Sequence, residues 1–118
     1  MTEPFMAAIA VGLGGAAGAV SRHLVGLAIE SRWSLVAVNT LGSFALGVVV
    51  AAPIGSVVTL AVGVGFCGAF TTFSSFAVET VTTVERGEPV VATTFAGLSV
   101  VTAVVALLAG SGLALALT

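Results

Sequence analysis

An all-helical membrane protein with four spans is the fold this sequence predicts. Three observations predict it. Of 118 residues, 58% are hydrophobic, and only three arginines and five acidic residues carry a formal charge. A soluble domain of that size could not cover itself with so little polar surface. The apolar residues fall in four runs, each near the length of about 20 residues that a helix needs to cross a bilayer. All three prolines (Pro4, Pro53 and Pro89) stand at boundaries between runs. The spans are expected at 5–29, 34–52, 56–83 and 90–117, in one transmembrane domain at 1–118. No length is left for a soluble catalytic domain, and no nucleophile–base pair is visible, so an enzyme is not expected. The single cysteine, Cys67, excludes an intrachain disulfide and a multi-cysteine metal site. No basic stretch precedes the first apolar run, so no signal peptide is expected. The expected location is the cell membrane, as a multi-pass protein, with the lipid bilayer as a partner and no nucleic acid.

The first span contains Gly14 and Gly18, a G-x-x-x-G pair that lets another helix approach closely. The run Gly12-Leu13-Gly14-Gly15-Ala16-Ala17 also fits a loose dinucleotide-binding pattern. It lies inside an apolar helix-length run with no strand before it, so close packing is the better reading. Arg22 either snorkels to the interface or is buried and fixes the fold. His23 has no partner motif and reads as an interfacial histidine. Glu30-Ser31-Arg32-Trp33 is a loop with an interfacial tryptophan.

The second span carries one strongly polar residue, Asn39. Asn39, Ser43 and Gly47 recur every four residues and make one small, polar face. The amide could hold two helices together or donate N–H bonds to an anion. The third span contains Gly65-Phe66-Cys67-Gly68-Ala69-Phe70-Thr71-Thr72-Phe73-Ser74-Ser75-Phe76. A lipid-facing helix does not need that mixture. Gly68 loosens the helix, and Thr71 and Thr72 can bond freed backbone groups, so a break is expected near the midplane. Irregular backbone at that depth is tolerated only where it is buried in protein or lines a cavity. Phe73 and Phe76, three apart, share a face if the helix resumes. Glu79 lies three residues further, either near the interface or paired within the protein. After the polar loop Glu85-Arg86-Gly87-Glu88, Pro89 suits the first turn of the fourth span. Phe95, Ser99 and Thr102 share one face of it.

These residues together resemble the Fluc (CrcB) family of fluoride channels. The resemblance covers nearly the whole chain. It rests on Gly14-Gly15-Ala16-Ala17-Gly18-Ala19-Val20-Ser21-Arg22, on Val38-Asn39-Thr40-Leu41-Gly42-Ser43-Phe44, and on the third-span run followed by Glu79. It implies a passive fluoride-selective channel that exports cytoplasmic fluoride and relieves its toxicity. It also implies an antiparallel dimer, of this chain with itself or with a related chain of opposite topology, and a structural sodium ion at the dimer centre. Asn39, Thr72, Phe73, Ser75, Phe76 and Ser99 would line the fluoride pathway. Gly68 and Thr71 would give backbone carbonyls to the sodium ion. Arg22 would sit near a vestibule or hold the fold, and Glu79 would likewise be a structural or vestibule residue. The sequence departs from the family pattern at Leu35, where a threonine is usual, and at His23, Phe95 and Val101.

The rival reading is a small four-span multidrug or cation exporter, which also pairs antiparallel. That chemistry needs a carboxylate inside the membrane to exchange protons for a cation. The first span has none, and Glu79 is the single mid-chain acid. A non-transporting scaffold would not explain the Phe-Thr-Thr-Phe-Ser-Ser-Phe run.

Overall fold

The computed structural model describes residues 2–118. It is all-helical, with four helices long and apolar enough to cross a membrane: Glu3–Ala28, Trp33–Ala51, Ser56–Glu85 and Pro89–Ala116. The first is α1 (Thr2–Ala28) and the second is α2 (Trp33–Ala51). The third is composite. It opens as α3 (Ser56–Thr59), widens into a π-helix over Leu60–Cys67, and returns to α-geometry in α4 (Gly68–Phe70). After the break it resumes as α5 (Phe73–Glu85). The fourth span is α6 (Pro89–Ala116).

Local chemistry sets the boundaries. Ala52, which precedes Pro53, is extended at φ −81°, ψ 144° and closes α2, as steric conflict with a following proline demands. α5 runs to Glu85, two residues beyond the expected end. Its stop is set by Gly87, the one residue described with positive φ (79°). Gly87 N–H donates to Val84 O at 2.9 Å, and Glu88 N–H to Thr83 O at 3.1 Å. That pair of bonds is a Schellman cap, which needs a left-handed residue. Pro89 then opens α6 at a position where no N–H is required.

Packing divides the molecule into two helix pairs. α1 lies against the π-helix and α4, while α2 lies against α6. Both seams are made of glycine. A methyl group at Gly14 would collide with the Ala61 carbonyl, and one at Gly18 with the Phe66 carbonyl. On the other seam, Gly47 meets the Leu107 carbonyl and Gly110 the Phe44 carbonyl. Backbones therefore touch, which is how helices associate where lipid removes the hydrophobic incentive. The break lets the third span serve both pairs: its first half packs on α1, and α5 packs on α6.

Candidate functional site

The site grows from the break. The expectation placed the loosening at Gly68, but Gly68 is helical, at φ −61°, ψ −38°. The chain departs three residues later. Thr71 is extended (φ −82°, ψ 162°), and so is Thr72 (φ −150°, ψ 117°). Two side chains satisfy the groups this frees. Thr72 N–H donates to Asn39 Oδ1 at 2.8 Å, and Asn39 Nδ2 donates to Thr72 O at 3.2 Å. The amide thus pairs with both polar groups of one peptide residue, which also fixes its orientation: flipped, it would set donor against donor. Thr72 Oγ1 accepts Ser75 N–H at 3.1 Å and so caps α5.

These substitutions leave two carbonyls without their helical donors. In a continuous helix, Thr72 N–H would bond Gly68 O, but it goes to Asn39. Ser75 N–H would bond Thr71 O, but it goes to the Thr72 hydroxyl. Gly68 is exposed, and nothing lies within 4 Å of where its Cβ would be. A hard cation takes oxygen ligands of this kind.

An open hollow of about 640 Å³ lies beside the break, between α2, the third span and α6. Asn39, Gly68, Thr71, Thr72, Phe73, Phe76 and Ser99 all line it. Asn39 Nδ2 keeps one N–H beyond its bond to Thr72. Phe73 and Phe76 share a face, with ring centroids 5.8 Å apart, and Phe76 continues to Phe95 at 5.6 Å. Phe95 is buried, whereas Phe73 is 78% exposed on the isolated chain. Ser99 is buried at 4% exposure, yet its hydroxyl has no hydrogen-bond partner. A buried, unsatisfied hydroxyl facing a hollow is costly unless something enters to meet it. Ser75 does not line the hollow and enters the site through its backbone N–H. Arg22 and Glu79 do not line it either. Arg22 is half-buried near the end of α1.

The sequence profile described as CrcB-like protein, camphor resistance (CrcB), matches residues 9–111, most of the chain and all of this site. The chain belongs to the CrcB family. Named relatives agree. The fluoride-specific ion channel FluC 2 of Natronomonas pharaonis is 52% identical over 105 residues, 88% of each chain. FluC 1 of Haloarcula marismortui is 44% identical over 113 residues, 88% of this chain and 89% of that one. FluC of Sphingopyxis alaskensis is 42% identical over 109 residues, 83% and 86% respectively.

In this CrcB-family chain, sequence reasoning missed two contacts. Glu79 Oε2 accepts Arg32 Nε at 3.1 Å and the Thr83 hydroxyl at 2.9 Å. A signal existed: Arg32 precedes Asn39 by seven residues, and Glu79 follows Thr72 by seven. Two antiparallel helices already joined at Asn39 and Thr72 bring the other pair together two turns away. The second contact is Thr40 Oγ1 donating to Thr102 Oγ1 at 2.9 Å between α2 and α6. No spacing within one helix could reveal it.

Proposed function

We propose that this chain is a subunit of a fluoride-selective channel that lets the anion leave the cell passively. One observation carries the reading: a hollow at a helix break gathers a spare amide N–H, two phenyl rings and an unpartnered buried hydroxyl. Fluoride is small and tightly hydrated, so removing its water is expensive unless close donors replace it. Asn39, the Thr72 hydroxyl and the Ser99 hydroxyl supply donors, with the Ser75 hydroxyl nearby. The edge of a phenyl ring is partially positive, so Phe73 and Phe76 assist without holding the ion. α5 begins here, and its N-terminal end carries the positive pole of the helix. The chain has no lysine to trap the anion. HF crosses a membrane as a neutral acid and ionises in a more neutral cytoplasm. A passive exit for the anion therefore relieves toxicity without an energy source. The names of the relatives support the same ion.

The functional unit we infer is an antiparallel dimer around a sodium ion. Gly68, an exposed residue, and Thr71 each hold a carbonyl whose helical donor is engaged elsewhere, two such oxygens per chain. A two-fold partner would double them into a more complete shell for the cation. When bound, the ion would join the two subunits and add positive potential beside each path. Phe73, exposed on the single chain, would be covered by the same partner. The exporter reading loses its proton carrier, because Glu79 is occupied by Arg32 and Thr83.

Purified protein in liposomes loaded with potassium fluoride or potassium chloride, with a potassium ionophore added, tests the proposal. Fluoride efflux without chloride efflux is expected. Retention of fluoride by well-folded dimer would overturn it.

A further inference from the structure

We propose that Arg32 is a positioning residue of the anion path, holding and neutralising the Glu79 carboxylate one helical turn beyond Phe76, outside the hollow itself. The inference rests on the reading of the hollow as that path. It starts from register. Asn39–Thr72 and Arg32–Glu79 both join the start of the second span, from the residue before α2, to the second half of the third, from the residue before α5, and each step between the two bridges is seven residues. Two turns of helix make the bridges about 10 Å apart along the seam. Phe76 lies between Thr72 and Glu79 on α5, and it lines the hollow. Glu79 does not line the hollow but follows Phe76 by three residues on the same helix, so its charge acts on an anion that leaves past Phe76.

A bare carboxylate there would oppose the anion, since like charges a few ångström apart repel strongly at the low effective dielectric of a protein. The structure answers that charge at one atom. Arg32 Nε and the Thr83 hydroxyl both donate to Oε2 of Glu79. Thr83 is fully buried, and its hydroxyl is shared with the Glu79 backbone carbonyl at 2.7 Å. The carboxylate is thus drawn back toward the α5 backbone and met by a cation. Among the described residues this is the one ion pair. The other cations, Arg22 and Arg86, and the other acids, Glu3, Glu30, Glu85 and Glu88, make no ion pair with either partner. Arg32, the residue just before α2, has helical backbone angles and precedes Asn39 by two turns, in register with the face that carries Asn39, Ser43 and Leu46 into the hollow.

The test uses the full chain in liposomes and two readouts. In fluoride efflux, Arg32→Gln lowers the rate by roughly tenfold, the scale of one uncompensated charge at such a distance. Added inert salt partly recovers that rate by screening. Arg32→Lys, which keeps the charge, retains most of the flux. Glu79→Gln placed on Arg32→Gln restores it. Unchanged flux in Arg32→Gln, or a loss that Glu79→Gln does not restore, overturns the proposal, because a merely structural role would give the latter. The second readout does not need conduction. A cysteine at Ser75, one turn before Glu79, is placed in a Cys67→Ala background and reacted with anionic and cationic methanethiosulfonates. Arg32→Gln lowers the anionic-to-cationic rate ratio by roughly tenfold, and Glu79→Gln restores it. A shifted ratio in a protein that conducts no fluoride supports the role of Arg32 and rejects the channel reading. An unchanged ratio rejects the role of Arg32 whether or not fluoride moves.

Discussion

At the scale of single residues, Asn39 performs the helix-joining task that the sequence offered as one of two alternatives, and it leaves one N–H free for the other. Its carbonyl and one N–H hold the Thr72 peptide, and under the proposed function the remaining N–H is the anion donor. Asn39→Leu therefore strands a buried N–H and a buried C=O. About 1–3 kcal/mol is lost for each such group, so the variant should unfold at distinctly lower denaturant in detergent and lose flux. Ser99 makes the opposite case. Its hydroxyl bonds nothing, so Ser99→Ala should leave stability unchanged or raise it, while fluoride efflux falls several-fold. A stability loss with normal flux would assign Ser99 to the fold instead. Phe73→Ile and Phe76→Ile keep bulk and remove the ring edge. Each should slow efflux by about tenfold or more, equivalent to ~1.4 kcal/mol of barrier, with the dimer still visible by chromatography. The sequence made the polar and aromatic side chains of the site legible, because Asn39 and the phenylalanines are conspicuous in an apolar chain. It did not make their partners legible. The amide that closes the break lies 33 positions from Thr72, and Arg32 lies 47 from Glu79; nothing in one helix reports on another.

At the scale of elements, the third span carries the design. Its first half must meet α1 backbone to backbone, and Gly14 and Gly18 permit that. The facing atoms are carbonyls, which cannot rotate away as a side chain can. Gly14→Val or Gly18→Val should exceed the usual overpacking cost of about 1–3 kcal/mol and yield little monodisperse protein. Gly68 separates folding from assembly. Its φ of −61° suits proline, yet Gly68→Pro removes an N–H bonded to Gly65 O and drives the ring into the preceding turn, a loss of ~3 kcal/mol. Gly68→Ala meets nothing within the chain. If a partner and its cation cover Gly68, that small change should yield folded monomer; an unperturbed dimer would move the cation elsewhere. Four helices and a bent third span were legible from apolar length, prolines and the Gly-Thr-Ser run. The break point was legible to within Gly68–Thr72, with the departure itself at Thr71 and Thr72. Composition marks a weak stretch, whereas the site of departure is decided by where Asn39 and the Thr72 hydroxyl can capture freed N–H groups. The π-helix was hidden, since Leu60–Cys67 reads as an ordinary apolar helix.

At the scale of the whole molecule, charge bears on which partner completes the channel. With four spans, the loops holding Arg32 and Arg86 lie on one side of the membrane, and Arg22 is near that side. The opposite side has no basic residue among its ends and loop. Basic residues retained in the cytoplasm set orientation, and acidic neighbours scarcely alter the count. The chain should therefore insert chiefly with both ends outside. An antiparallel homodimer needs one sequence to insert both ways, which favours an arginine balance near zero. The ion pair does not change this, because Arg32 meets Glu79 after insertion has set the topology. The opposing consideration is that self-pairing is the commoner route to a two-fold oligomer. The prediction is that this chain expressed alone, with single cysteines at positions 2 and 117, labels from the outside only and conducts poorly. Co-expression with a related subunit of inverted charge bias should restore flux. Labelling of each end from both sides, with full fluoride efflux from the lone chain, would establish a dual-topology homodimer and end the two-subunit idea.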